Sequence, residues 1–253
     1  MLLSLMYHHC NSDEFSNSKE MLEEHFEFIS KNYRSIFCGE RFSIFRTDIL
    51  LVFDDGFFDF YYYVYPLLKK YNLKAVLSIP IKYILEDTDI EDEKRLSIKH
   101  SDMIYNPDVI KYAPFCTWKE IQEMSKSGYV EIASHSINHP NLTKLSLDEV
   151  EKEIKVSKDI IESKIDKKVD TFVYPYGAYN EEIREIVKKY YKYDIGIGDK
   201  YNFSWDNTIN RLYADDLESC CGILDDKQKI KYFAKAVIPN NLKKVIKWII
   251  RKN

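Results

Sequence analysis

Two adjacent acidic residues, Asp54 and Asp55, follow an apolar run and precede Gly56. Neighbouring carboxylates repel each other unless a cation or a proton lies between them. A metal ion bound by one carboxylate would leave the other free to act as a base. Because Asp-Asp-Gly is also common in plain turns, this segment alone does not separate a functional site from a turn.

Two histidines four residues apart, His135 and His139, form the second candidate set. Residues i and i+4 share one face of a helical turn, so we expect both imidazoles to reach a single ion. Two histidines and one carboxylate are a common ligand set of open, catalytic zinc sites. The alternative is a pair of ordinary surface or core histidines, and the nearby Asp pair favours the metal site.

A third segment, Tyr174-Pro175-Tyr176-Gly177, also ends an apolar run. A tight bend of this kind presents backbone N–H groups that could stabilise an oxyanion. By itself the segment is typical of a plain junction between a strand and a turn.

All three segments come at the ends of predicted strands. Short apolar runs alternate with helical stretches, which favours a mostly parallel α/β fold. Ligand sites of such folds gather at the carboxyl ends of the strands. We predict strands at 2–7, 48–53, 74–79, 129–133, 171–174, 193–197 and 209–213. Capping boxes predict helix starts at Thr117 and Ser146, and a third helix is expected to begin near Asn180.

The 253 residues are predicted to form a single domain. Residues 82–114 interrupt the alternation of strands and helices, so we predict an insertion there, serving as a lid or binding loop or having no role. Residues 240–253 are predicted to form a basic amphipathic helix. It would either pack on the barrel or make a peripheral contact with an anionic membrane.

Composition excludes some classes of function. A net charge of −4 gives no indication of a nucleic-acid partner. The five cysteines are odd in number and form no C-x-x-C pair, which fits a reducing compartment better than a disulfide framework. We recognise neither a signal peptide nor a membrane-spanning segment, so we expect a cytoplasmic protein, with membrane association as the alternative.

Together the three segments resemble the motifs of the polysaccharide deacetylase family, the NodB homology domain of carbohydrate esterase family 4, over roughly residues 2–213. The match is most specific at His135-Ser136-x-x-His139-Pro140. The resemblance implies an α/β fold, a distorted (β/α) barrel of about seven parallel strands. It also implies one divalent ion, Zn²⁺ with Co²⁺ or Ni²⁺ as alternatives, on Asp55, His135 and His139.

The reaction implied by the resemblance is hydrolysis of an N-acetyl group on a polymeric, lipid-linked or nucleotide-linked sugar. Metal-activated water would be the nucleophile, Asp54 the general base, and the backbone of Tyr176 a donor to the oxyanion. Tyr7, Tyr174 and Pro175 are expected to bind substrate.

The sequence departs from the family pattern in three places. Val173 replaces an arginine that orients the base in many members, and Arg211 is the candidate to supply the guanidinium, although a surface arginine is as common.

No histidine follows His139, so the C-terminal acid of the family is missing. Met6-Tyr7-His8-His9 resembles an N-terminal Tyr-His motif found in a subset of the family. We therefore assign His8 as the general acid, with His9 as second candidate.

The third departure is the acetyl pocket, because residues 213–216 match the corresponding family segment poorly. Two alternatives to an active deacetylase stay open: a catalytically inactive glycan-binding module on the same fold, and a deformylase or another hydrolase of linear C–N bonds with the same metal site.

Overall fold

The computed structural model describes residues 1–103 and 106–238. Seven parallel strands close into a barrel and follow one another around it in chain order, with the last strand pairing with the first. They are β1 (Leu2–Tyr7), β2 (Asp48–Phe53), β3 (Ala75–Ile79), β4 (Val130–Ser134), β5 (Thr171–Val173), β6 (Tyr193–Ile197) and β7 (Ile209–Tyr213). The predicted barrel of about seven strands is therefore confirmed.

Alternate residues of each strand face the interior of the barrel, as the period of two in a β-strand requires. Leu50 and Val52 of β2 belong to a buried inner cluster, whereas Leu51 and Phe53 belong to the larger cluster between the barrel and the helices. All four side chains are completely buried. Strands buried on both faces are typical of parallel barrels, and they explain the continuous apolar runs of the sequence.

Eight α-helices are present in the described part of the chain. They are α1 (Lys19–Asn32), α2 (Tyr65–Tyr71), α3 (Asp92–Leu96), α4 (His100–Met103), α5 (Trp118–Lys126), α6 (Leu147–Ile165), α7 (Glu181–Tyr190) and α8 (Asp226–Val237). Both predicted capping boxes are formed, at Thr117 and Ser146, and Asn180 caps α7. A π-helical turn, Phe60–Val64, precedes α2.

Three short strands complete the sheets: His9–Cys10 pairs with Ser16–Asn17, and Arg34–Ser35 extends β2 at its first residues. Short 3₁₀ turns lie at Ile81–Tyr83, Pro107–Tyr112, Leu142–Lys144, Pro175–Gly177 and Gly222–Leu224. The predicted insertion, 82–114, joins β3 to α5 and contains α3 and α4. The helix predicted for residues 240–253 lies outside the described residues. Within 1–103 and 106–238, no helix has both the length and the apolar character needed to cross a bilayer.

Candidate metal centre and active site

The carboxyl ends of β2 and β4 bring three candidate ligands together: Asp55, His135 and His139. Asp55 Oδ1 lies 3.6 Å from His135 Nε2 and 3.3 Å from His139 Nε2. The two histidine Nε2 atoms are 3.1 Å apart. Asp55 and His135 are buried, whereas His139 is partly accessible, so the set has one open side.

These distances fit a divalent metal ion. In a tetrahedral shell with bonds of about 2.0–2.1 Å, neighbouring ligand atoms lie roughly 3.3 Å apart. The remaining ring nitrogen of His135, Nδ1, lies 2.8 Å from the carbonyl oxygen of Val173, so it donates its proton there and Nε2 is left as a lone-pair ligand. Burial lowers the pKa of His135 to about 4, which keeps the ring neutral, as a metal ligand must be.

The histidines do not lie on a helical turn, so that prediction is wrong. Residues 135–140 form an irregular loop in which Ser136 and His139 adopt left-handed backbone conformations, with φ of 69° and 54°. The carboxylate of Glu153 on α6 accepts hydrogen bonds from the backbone N–H groups of Ile137 and Asn138, both at 2.9 Å. Because backbone donors inside such a loop have no ladder partner, Glu153 supplies the acceptor that holds it.

Asp55 also has a positive φ, 69°, and Gly56 follows with a φ of 65°. A Cβ at Gly56 would lie only 2.8 Å from Cγ2 of Ile79, so a side chain there would disturb the turn. This requirement explains the glycine and shows that Asp-Asp-Gly forms a turn, in which Asp55 is also a candidate ligand.

The second carboxylate, Asp54, points into the barrel and is 4% exposed. Nη1 of Arg211 lies 2.7 and 2.8 Å from its two oxygens, and the Ser78 hydroxyl donates to Oδ1 at 2.8 Å. Burial alone would raise the pKa of Asp54, but the charge and hydrogen bonds of Arg211, with the charge of protonated His8, outweigh burial and hold that pKa well below its usual range. Asp54 is therefore ionised at neutral pH.

Arg211 is completely buried, so the alternative of a surface arginine is excluded. It reaches Asp54 from β7, whereas Val173 lies in the buried inner cluster on β5. Its Nε donates to the carbonyl oxygen of Gly196 at 3.1 Å, which fixes the direction of the guanidinium.

His8 follows β1 and pairs with Asp215, a residue that the sequence reasoning did not assign to the site. Asp215 Oδ2 lies 2.6 Å from His8 Nδ1, and Oδ1 accepts from the His8 backbone N–H at 2.9 Å. Burial acts to lower the pKa of His8, but the hydrogen bond and charge of Asp215 outweigh it and raise that pKa to about 9. His8 is therefore protonated at neutral pH, and its side chain is 19% exposed.

Of the remaining candidates, only Tyr176 has an exposed side chain. It adopts a left-handed conformation with φ of 59°, and its ring centroid lies 4.7 Å from that of His139. Pro175 is buried in the same turn.

Substrate contacts through the side chains of Tyr7 and Tyr174 are ruled out, because both are 0% exposed. The Tyr7 hydroxyl pairs with His25 Nε2 at 2.8 Å, and that of Tyr174 donates to Asp194 at 3.3 Å, in the layer between the barrel and the helices. Alternation along the chain places these tyrosines on the outer face of the barrel, towards the helices.

A barrel of seven parallel strands with an Asp-His-His set and an ionised carboxylate at its mouth defines a class of candidate metal-site hydrolases. The chain belongs to the polysaccharide deacetylase family, whose model matches residues 46–193, more than half of the sequence. The family predicted from the motifs is therefore confirmed. The matched range contains Asp54, Asp55 and both ligand histidines but neither His8 nor Arg211.

Curated relatives agree with this assignment. YxkH of Bacillus subtilis (strain 168), a candidate polysaccharide deacetylase, is 27% identical over 194 residues, which are 73% of this chain and 60% of YxkH. The poly-β-1,6-N-acetyl-D-glucosamine N-deacetylase of Staphylococcus aureus (strain MRSA252) is 28% identical over 167 residues, 63% of this chain and 48% of that protein. The chain thus spans about half to three fifths of the length of these relatives.

Solved structures share the fold. The Streptococcus pyogenes deacetylase PplD in complex with acetate superposes with a TM-score of 0.70 at 19% identity, covering 92% of this chain and 97% of PplD. A de-N-acetylase of Aggregatibacter actinomycetemcomitans gives a TM-score of 0.68 at 22% identity, covering 91% of this chain and 98% of that one. At these identities the likeness establishes the architecture alone.

Proposed function

We propose that this protein is a metal-dependent hydrolase that removes N-acetyl groups from sugar residues of a glycan or a glycan precursor. The observation that carries the proposal is the arrangement at the barrel mouth. Three ligand atoms lie within 3.6 Å of one another, with an ionised carboxylate adjacent in sequence and a protonated imidazole at the same end of the barrel. General acid–base hydrolysis needs one group of each kind.

Asp55, His135 and His139 would hold the ion. When bound, a divalent ion would polarise the amide carbonyl and lower the pKa of a water molecule. The site selects no particular metal, and Zn²⁺ is the first choice because two imidazoles and a carboxylate are common zinc ligands.

Asp54 would accept the proton of the attacking water. Arg211 and Ser78 keep the carboxylate ionised and fixed in direction, so it is ready to receive a proton without a change of conformation. Positioning of this kind contributes to rate because the orientation is established before the reaction begins.

His8 would protonate the leaving amine. Its Nδ1 faces Asp215, so the proton for transfer is the one on Nε2. As the C–N bond breaks, this proton would move to the amine nitrogen, which leaves with its bonding electrons. The backbone N–H of Tyr176, in the turn beside His139, would donate to the developing oxyanion.

The substrate class is inferred from relatives. One of these relatives, from S. aureus, is named as a poly-β-1,6-N-acetyl-D-glucosamine N-deacetylase. Oligomers of β-1,6-linked N-acetylglucosamine are therefore the first substrates to test. Lipid-linked and nucleotide-linked N-acetyl sugars are the second choice.

The test is release of acetate from these oligomers by protein supplied with Zn²⁺, measured beside N-formylated oligomers of the same length. Release of acetate would identify a deacetylase, whereas release of formate without release of acetate would identify a deformylase. Protein that retains bound metal but releases neither acid from any substrate would contradict the proposal and favour an inactive glycan-binding module.

A further inference from the structure

His9, the neighbour of His8, takes part in a buried chain of polar groups outside the proposed catalytic set. Its Nδ1 lies 2.7 Å from Asp59 Oδ2, and its Nε2 lies 3.0 Å from Nδ1 of His100 in the insertion. His9, Asp59 and His100 are only 1%, 7% and 6% exposed. Burying three ionisable groups together is costly unless they are paired, so we ask what this hydrogen-bonded row contributes to the protein.

The direction of the hydrogen bond between His9 and Asp59 follows from the carboxylate. An ionised carboxylate only accepts, so the proton between Asp59 and His9 belongs to His9 Nδ1. The contact between His9 Nε2 and His100 Nδ1 carries a single proton, which lies on one ring or the other. Asp59 Oδ2 also accepts from the Cys10 backbone N–H at 3.1 Å, while Oδ1 has no hydrogen-bond partner in the described part of the chain.

His100 attaches the middle of the insertion to the barrel. Its backbone N–H donates to Asp13 Oδ1 at 2.9 Å, while its ring contacts His9. The far end of the insertion is held separately: Arg95 donates to the carbonyl oxygen of Ala113 at 2.8 Å and pairs with Glu120 at 2.6 Å.

A series of stacked rings connects His9 to the region of the candidate metal centre. The His9 ring stacks on Phe57 at 3.7 Å between centroids, Phe57 stacks on Phe115 at 5.2 Å, and Phe115 stacks on Tyr83 at 4.9 Å. Phe57 lies two residues after the candidate ligand Asp55. The insertion and the first motif therefore pack as one unit.

This packing encloses a small cavity beside the candidate metal ligands. Its lining includes Asp55 and His139 together with Tyr83, Met103 and Phe115. The volume is about 20 Å³, little above the minimum needed for one water molecule, so a group longer than methyl would not fit unless the lining side chains moved. Met103 ends α4, the helix that His100 begins.

We propose that Asp59, His9 and His100 are positioning residues that hold the insertion on the barrel and so limit the pocket beside the metal centre to acetyl-sized acyl groups. The acyl preference rests on the proposed function, whereas the attachment of the insertion does not. Breaking the contact between His100 and His9 should therefore have two separable effects, one on the attachment of the insertion and one on the acyl preference.

The test compares His100→Leu, which removes the hydrogen-bonding nitrogen, with His100→Asn, whose amide group occupies nearly the same place as Nδ1. Ser101→Leu, at an exposed position of the same helix, is the matched control. We expect amide hydrogen exchange in residues 92–103 to rise about tenfold in His100→Leu, while His100→Asn and the control stay close to wild type.

The second readout is the ratio of kcat/KM for N-butyryl over N-acetyl oligomers. We expect it to rise about tenfold in His100→Leu and in Met103→Ala, which enlarges the pocket directly, and to stay unchanged in His100→Asn. A purely structural defect would instead lower both rates together. Met103→Ala enlarges the pocket without removing the contact between His100 and His9, so it still tests the pocket if His100→Leu folds poorly.

Unchanged exchange in folded His100→Leu would overturn the attachment. An unchanged acyl ratio in both His100→Leu and Met103→Ala would overturn the pocket. Wild-type protein that releases neither acid would contradict the proposed function and the acyl preference with it, and the exchange experiment would still decide the attachment.

Discussion

At the scale of single residues, the position of Asp54 depends on one guanidinium. Arg211 is 0% exposed and contacts both oxygens of the carboxylate through the same nitrogen. Replacing Asp54 with Asn should keep the shape of the site but remove the proton acceptor. We expect turnover to fall roughly 10²–10⁴-fold while bound metal, measured by mass spectrometry, stays the same. Turnover near that of wild type would exclude Asp54 as the base.

The pair of Asp54 and Arg211 also predicts a stability effect. Arg211→Met leaves an uncompensated buried carboxylate, so the free energy of unfolding in urea should drop by roughly 3–5 kcal/mol. In the double variant Asp54→Asn/Arg211→Met the charge is gone, and we expect part of the loss to be recovered. Equal losses in the single and double variants would show that the pair is not coupled.

The pair of His8 and Asp215 predicts a pH effect. The pKa of His8 is raised to about 9, so the acid form is present below that pH and is lost above it. Turnover should therefore fall as the pH rises through about 9. Burial acts to lower the pKa of His8, and in Asp215→Asn no carboxylate opposes that effect. The fall in turnover should therefore occur at lower pH than in wild type.

The exposed neighbour provides the control for that pH experiment. Asp216→Asn lies beside Asp215 in sequence but contacts the Tyr213 hydroxyl instead of His8, so its pH profile should match that of wild type. An identical basic limb in Asp215→Asn and wild type would mean that His8 is not the group whose titration is observed.

At the scale of elements, the loop that carries His135 and His139 depends on α6. Glu153 of that helix accepts three hydrogen bonds from Ile137 and Asn138, the third from the Asn138 side chain. Glu153→Ala should lower zinc affinity about 10–100-fold in calorimetric titration, because the loop loses the group that orients it. Glu153→Gln keeps an acceptor and should lose much less. Equal affinity in all three proteins would contradict this role.

Most strand positions were predictable from sequence, because burial on both faces leaves unbroken apolar runs. Four of the seven predicted ranges agree at both ends, two differ by one residue at one end, and the range 129–133 is shifted by one residue at both ends. The capping boxes at Thr117 and Ser146 were predictable for a different reason: the hydrogen bonds that define them are local in sequence.

The loop at 135–139 was not predictable, because four-residue spacing of histidines is compatible with a helix as well as with left-handed turns. Asp215 was missed because its partner is 207 residues away in the chain, and no local pattern joins the two. Its position just after β7, at the edge where sites gather, was the one available signal. The hydrogen bonds of Asp54 with Arg211 and Ser78 also depend on closure of the barrel rather than on local spacing in the sequence.

At the scale of the whole molecule, closure of the barrel assembles the site. The pairing of β1 with both β2 and β7 places the ends of these three strands side by side. His8, Asp54 and Asp215 follow those ends and therefore share one edge, although they come from opposite parts of the sequence. The location of the protein in the cell and the single-domain organisation stay predictions from the sequence.

The central claim is that Asp55, His135 and His139 hold a divalent ion that acetyl hydrolysis requires. The most direct measurement is acetate release from a β-1,6-linked N-acetylglucosamine oligomer by chelator-treated protein titrated with Zn²⁺. We predict no release without metal, recovery that is complete at one ion per chain, and no recovery in His135→Ala/His139→Ala. Full acetate release by the metal-free protein, or by the double variant, would contradict the claim.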